Sequence, residues 1–185
     1  MNILKKKNRT LSRKKSKKAK VISFLNQKGG VGKTTMAFNV ACALAERGNT
    51  VLAIDMDPQS NLSMLFQEKD DSLTNQKSAV FQLLVNSIKE LKQLHTKISL
   101  NDKISNRHGV DLLASGDDLS GFDLTIAGIS SPRQLILKNF IEKSNLASKY
   151  DYIIIDCPPT LGLLVVNSLC ASQGIMVPFR PDNFS

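Results

Sequence analysis

The 185-residue sequence has no apolar stretch near the roughly 20 residues that cross a bilayer, which removes helical membrane spans. Its three cysteines, Cys42, Cys157 and Cys170, are odd in number and lack metal-ligand spacing. They exclude a disulfide framework and read as reduced, mostly buried thiols in a cytoplasmic protein. The two histidines, His95 and His108, lie in polar stretches and suggest no role. The apolar block at 21–25 is too short for the core of a signal peptide, and no small-residue cleavage site follows it. No internal repeat is present. Acidic residues are absent from the first twenty positions, which carry ten of the 25 lysines and arginines.

That last absence relocates the charge. The formal net charge is +9, but residues 21–185 hold 15 bases against 16 acids. Residues 1–20 therefore form a basic, disordered tail, and residues 21–185 a nearly neutral domain. The tail fits nonspecific DNA contact through counterion release. A solubilising leader or an upstream extension of the reading frame fits equally well. With almost no apolar face, it argues against membrane-surface binding. The full sequence's 42% apolar and 22% charged residues are ordinary for a globular protein of one domain.

The chemistry is concentrated in Lys28-Gly29-Gly30-Val31-Gly32-Lys33-Thr34-Thr35. This octet follows the apolar run at 21–25 and opens a helical pattern near Thr34. Strand, glycine-rich loop and helix N-terminus together make a P-loop, whose backbone N–H groups converge on phosphate oxygens. Glycine lets that backbone approach an anion closely. Lys33 can reach the terminal phosphates, and the Thr34 hydroxyl is placed to ligate Mg²⁺. From these residues, the chain binds a nucleoside triphosphate or descends from one that did.

Alternating strands and helices predict an α/β fold with an open, mostly parallel sheet and helices on both faces. Strands are expected at 21–25, 51–54, 110–114, 152–155 and 175–178, with a short one at 98–100. Met36, Val40 and Leu44 share one face of the first helix, with Ala37 and Ala41 beside them. Helices are further expected through Val80–Leu91 positions (80–91), after Ser131-Pro132, and at 161–170. The P-loop, Asp55/Asp57 and Asp156 each follow the C-terminal end of a strand, and in a parallel sheet those ends share one edge.

The stretch from Phe24 to Thr35 has Gln27 where the standard motif has glycine, and a second lysine at 28. It resembles the deviant Walker A motif of the ParA/Soj/MinD family of P-loop NTPases. Asp55-Met56-Asp57-Pro58-Gln59 is similar to that family's switch I, and Asp156-Cys157-Pro158-Pro159-Thr160-Leu161-Gly162 to its switch II. The resemblance implies ATP hydrolysis with Mg²⁺. It places residues 28–35 on the nucleotide, with Thr35 near the α-phosphate and Thr34, Asp156 and Asp55 serving the metal. It further implies that Asp57 positions the attacking water and that Lys28 reaches the partner's ATP across a sandwich dimer. Cys157 has no second cysteine to share a cluster and reads as packing.

By the same resemblance the chain is a ParA-like partition ATPase, cytoplasmic and nucleoid-associated. It would dimerise on ATP, bind DNA nonspecifically and be stimulated by a ParB-like partner. The Asp57–Ser63 wording (57–63, DPQSNLS) leans toward ParA and Soj. Family members continue beyond Ser185, so the resemblance implies a C-terminally truncated domain whose final strand is an open edge. Two alternatives stay open: a non-catalytic remnant or interaction module that binds DNA through its tail, and a MinD-like division-site ATPase.

Overall fold

The computed structural model describes residues 18–67, 78–88, 91 and 99–181. Six strands form one sheet: β1 (Lys20–Phe24), β2 (Val51–Asp55), β3 (Ile104–Arg107), β4 (Val110–Leu113), β5 (Tyr152–Asp156) and β6 (Gly174–Met176). Their spatial order is β3-β4-β2-β5-β1-β6, all parallel except β3, which runs antiparallel to β4. The two ends of the first β–helix–β unit are thus not neighbours, because β5 lies between β1 and β2. Ile153, Ile154 and Ile155 are fully buried, as a central strand covered on both faces requires.

Helices flank both faces. On one lie α1 (Lys33–Glu46) and α2 (Asn61–Leu65), packed on Val51, Ala53 and Ile154. On the other lie α3 (Ala79–Ser87), α4 (Phe122–Thr125), α5 (Ile136–Lys143), α6 (Leu146–Lys149) and α7 (Leu163–Ala171), over Leu52, Ile54, Ile153 and Ile155. Successive strand residues thus alternate between two cores.

Local chemistry sets the element ends. Gly48, at φ +83°, terminates α1 and donates to the Ala45 carbonyl at 2.8 Å. Ser78 caps α3, its hydroxyl accepting from the Phe81 amide at 3.0 Å. The side chain of Asn167, fully buried on α7, accepts from Leu137 N and donates to the Arg133 and Leu163 carbonyls. It ties α7 to the start of α5 across the core.

The structure departs from the expected elements in four places. The buried face of α1 centres on Ala37 and Ala41, while Met36 is 40% exposed. Val40 and Leu44 are partly buried at the margin of the same core. α3 ends at Ser87 because Ile88 turns extended, so Leu91 lies beyond it. Residues 99–100 form no strand, and Ile98 lies outside the described residues. Instead β3 follows, joined to β4 by His108 and Gly109, both at positive φ as a tight two-residue hairpin requires. Finally, Ala19 is buried and Lys20 opens β1, so both belong to the folded domain and not to the tail; residues 1–17 lie outside the described set.

β6 is an edge strand, and Ile175 and Met176 on it are about half exposed. No helix among the described residues is long and apolar enough to cross a membrane.

Candidate nucleotide site

The parallel register places three strand ends at one level. Phe24 pairs with Asp156, and Asp55 pairs with Asp156 on the other side. The loop after β1, the loop after β2 and the end of β5 therefore converge on one edge of the sheet, as the order of the motifs implied.

The β1–α1 loop is held at both ends. Asn26 accepts from the Lys28 amide at 2.9 Å and donates to the Pro178 carbonyl at 2.8 Å, pinning the loop to the exit of β6. Gly30 and Gly32 adopt φ +72° and +89°, which an L side chain rarely takes. A Cβ built on Gly29, Gly30 or Gly32 would meet no atom within 4 Å, so the loop surrounds open space. Lys33, only 8% exposed, folds its ammonium toward the Lys28 carbonyl at 3.4 Å. Val31 and Thr34 are half-buried, Thr35 is exposed, and the Lys28 side chain is partly covered.

Asp156 is fully buried, and among the described residues neither carboxylate oxygen has a hydrogen-bond partner. The Thr34 hydroxyl approaches and favours its charged form without reaching good hydrogen-bond geometry. Burial dominates, and with the Asp57 charge nearby it pushes the Asp156 carboxyl up to about 6 against the pull of Thr34 and Lys33. A buried carboxylate without donors is a costly arrangement that a cation relieves. The residues present thus fit Mg²⁺, which takes one or two carboxylates and otherwise uses water and substrate phosphate.

Asp57 is nearly buried at 6%, and its Oδ1 accepts from the Gln59 amide at 3.0 Å. Asp55 differs. It is fully buried, its Oδ1 accepting from Asp57 N at 3.1 Å and its Oδ2 from Ser63 N and Ser63 Oγ at 2.8 and 2.7 Å. Burial pushes its carboxyl up to about 7, with these donors opposing and the Asp156 charge adding. Lys33, Thr34, Asp57 and Asp55 all lie within electrostatic reach of Asp156, but both Asp55 oxygens are taken by donors of its own loop.

Sequence reasoning passed over Asn26, Ser63 and Ser115. Asn26 carried a signal, since an asparagine two residues before a loop amide often accepts from it. Cys157 is buried and unpaired in any disulfide, its thiol pushed up to about 11 chiefly by burial. His108 serves the β3–β4 turn, and His95 lies outside the described residues. A cavity of about 340 Å³ lies at the opposite edge of the sheet, between Lys18, Ala19, Val21, Ile141, Ala147 and Gln173, and holds none of these residues.

Comparison with known proteins agrees with this geometry. An AAA domain family model matches residues 19–185. The chromosome partitioning protein ParA of Myxococcus xanthus is 33% identical over 166 residues, covering 90% of this chain and 54% of that protein. A cobyrinic acid a,c-diamide synthase from Mycobacterium smegmatis, solved with an ATP analogue and magnesium, superposes with a TM-score of 0.74 at 30% identity, over 90% of this chain and 61% of that one. A plasmid partition protein from Borrelia burgdorferi gives a TM-score of 0.73 at 29% identity, over 91% and 69%. The chain spans little more than half the length of the curated relative.

Proposed function

Because the chain belongs to the ParA/MinD family of P-loop ATPases, we propose that it binds MgATP at the β1–α1 loop and hydrolyses it as a partition ATPase. The observation that carries this reading is the buried, donor-less Asp156 carboxylate, set beside Thr34 and Lys33 at the mouth of an open glycine loop.

The roles follow from position. Backbone N–H groups of residues 29–35 cradle the phosphates, aided by the N-terminal dipole of α1. Lys33 leaves the Lys28 carbonyl for the terminal phosphates. Thr34 and Asp156 hold the metal, and Asp57 orients the water that attacks the γ-phosphorus. When bound, Mg²⁺ neutralises charge that develops on the transferred phosphoryl group. We assign Asp55 to anchoring its loop in place of the metal role that the family resemblance implies, since its oxygens already receive three donors. Lys28 is the cation offered in trans to a second subunit's ATP. An ATP-dependent homodimer, nonspecific DNA binding, nucleoid association and stimulation by a ParB-like partner complete the proposal by family resemblance.

Thermal unfolding of the chain with and without MgATP tests it, with Lys33→Ala as control. Ligand at 100 times its Kd adds about 2.7 kcal/mol to the native state. Wild type is expected to shift and Lys33→Ala to stay put. Turnover should be raised by DNA or partner and vanish in Asp57→Ala; unchanged turnover in that variant would refute the assignment of the water.

One observation favours a second mode of DNA contact. Lys18 and Lys20 are exposed at the start of β1, the sheet edge opposite the nucleotide loop, and the basic segment 1–17 precedes them. DNA binding through that segment would be independent of nucleotide. Deleting residues 2–17 is expected to abolish it, and ATP-dependent binding that survives the deletion belongs to the domain.

A further inference from the structure

Three observations meet on the loop that carries Asp57. First, Asp55 is completely buried at the end of β2, yet both of its oxygens are occupied by donors from its own loop: Asp57 N, Ser63 N and Ser63 Oγ. Second, Ser63 is itself buried at 4%, and its hydroxyl is used twice. It donates to Asp55 Oδ2 and accepts from the Ser115 amide at 3.0 Å. Third, between Asp57 and Ser63 the chain passes through Ser60 at φ +57°, a left-handed conformation that serine adopts only when its surroundings impose it.

The connection is continuous. Gln59 N donates to Asp57 Oδ1, Asp57 N to Asp55 Oδ1, Ser63 Oγ to Asp55 Oδ2, and Ser115 N to Ser63 Oγ. Ser115 directly follows the β4 exit, where Ala114 O accepts from Val80 N. The loop is thereby tied to two strand ends and through them to α3. Two hydrogen-bonded attachments, at Asp57 and at Ser63, fix both ends of the seven-residue path that aims the Asp57 carboxylate.

We infer that Ser63 is a positioning residue for Asp57, acting through Asp55: its hydroxyl bridges the Asp55 carboxylate to the Ser115 amide and so fixes the loop in its left-handed path. The inference deepens the ATPase reading and rests on it for its turnover readout. Ser63 touches neither nucleotide phosphate nor water in this scheme. Its removal therefore acts on kcat and leaves nucleotide binding to the glycine loop.

The experiment compares wild type, Ser63→Ala and Ser63→Thr in two assays on the full chain. Amide hydrogen exchange without nucleotide follows Asp57, Gln59, Ser60 and Ser115; steady-state turnover follows kcat and KM for MgATP. In Ser63→Ala, exchange at these amides is expected to quicken by about tenfold, the scale of one lost buried bond. Its kcat should fall by about as much with KM unchanged, and Ser63→Thr, which keeps the hydroxyl, should recover both. Unchanged exchange in Ser63→Ala would overturn the inference, as would unchanged kcat, or kcat and affinity collapsing together. A wild-type chain without turnover would refute the ATPase reading alone, and the exchange comparison would then decide the anchoring by itself.

Discussion

Replacing Asp156 with asparagine should stabilise the nucleotide-free protein at neutral pH, although it removes a residue central to the site. The carboxyl is fully buried, its oxygens lack partners, and its pKa sits at about 6 against an ordinary 3.8. Two units at about 1.36 kcal/mol each make the folded state roughly 3 kcal/mol poorer a host for the charged form than the unfolded chain. Between those two pH values the folded state binds more protons than the unfolded one, so stability falls as pH rises. The favourable contribution is complete below pH 3.8 and lost as pH passes through 6. Asparagine does not ionise, so the variant escapes that loss. Its amide brings donors of its own into the same pocket, which subtracts about 1 kcal/mol at every pH. Asp55, raised to about 7 mainly by burial, titrates in both proteins and cancels, except for the Asp156 repulsion that the variant also removes.

Urea unfolding between pH 4 and 8, without nucleotide or metal, measures the difference. The variant should be equal to or slightly weaker than wild type at pH 4, and about 2 kcal/mol more stable at pH 7.5. In the same samples MgATP should raise the stability of wild type and leave the variant unmoved. A difference that is flat with pH, or a wild type more stable at pH 7.5, would refute the argument that Asp156 is an uncompensated buried charge awaiting a cation.

Other sites respond for different reasons. Asn167→Ala removes the partner of the buried Leu137 amide and a donor to the Arg133 carbonyl, and should cost about 2–3 kcal/mol in urea unfolding; a loss below about 0.5 kcal/mol would show that the bridge between α5 and α7 is dispensable. Ala37→Leu inserts three carbons between α1 and the sheet at a fully buried position, which should cost about 1–3 kcal/mol by overpacking and broaden thermal unfolding. Gly32→Ala meets no steric neighbour but must hold φ +89°, a strain of about 1–2 kcal/mol. Isothermal titration with MgATP should show weakened binding, and unaltered affinity would mean the loop relaxes freely.

What was legible in the sequence was chemistry that needs particular residue types in one contiguous run. The glycine loop is such a run: Gly30 and Gly32 take backbone angles only glycine adopts readily, and Lys33 and Thr34 follow at fixed distance. Asp156 was visible because three isoleucines before it are buried on both faces and mark a central strand. Strand adjacency was not visible, because crossovers leave sequence silent about which parallel neighbour a strand takes, and β5 enters between β1 and β2. The β3–β4 hairpin was hidden by an edge strand of polar residues, Ser105, Asn106 and Arg107, whose composition resembles a connection. On α1 only Met36 falls outside the expected face: Ala37 and Ala41 form its centre, with Val40 and Leu44 at its margin.

Asp55 and Asp57 show the limit most clearly. They stand two residues apart in one motif, with the same side chain and nearly the same burial, and from the letters alone both are candidates for the metal or the water. Their difference lies in hydrogen bonds made further along the chain: Ser63, eight residues on from Asp55, donates to it twice and is itself held by the Ser115 amide, 52 residues beyond. A carboxylate already receiving three hydrogen bonds has little left to offer a ligand, whereas the Asp57 carboxylate accepts from the Gln59 amide through one oxygen. Two identical side chains thus end in different hydrogen-bond environments, and Ser63 is the residue that separates them.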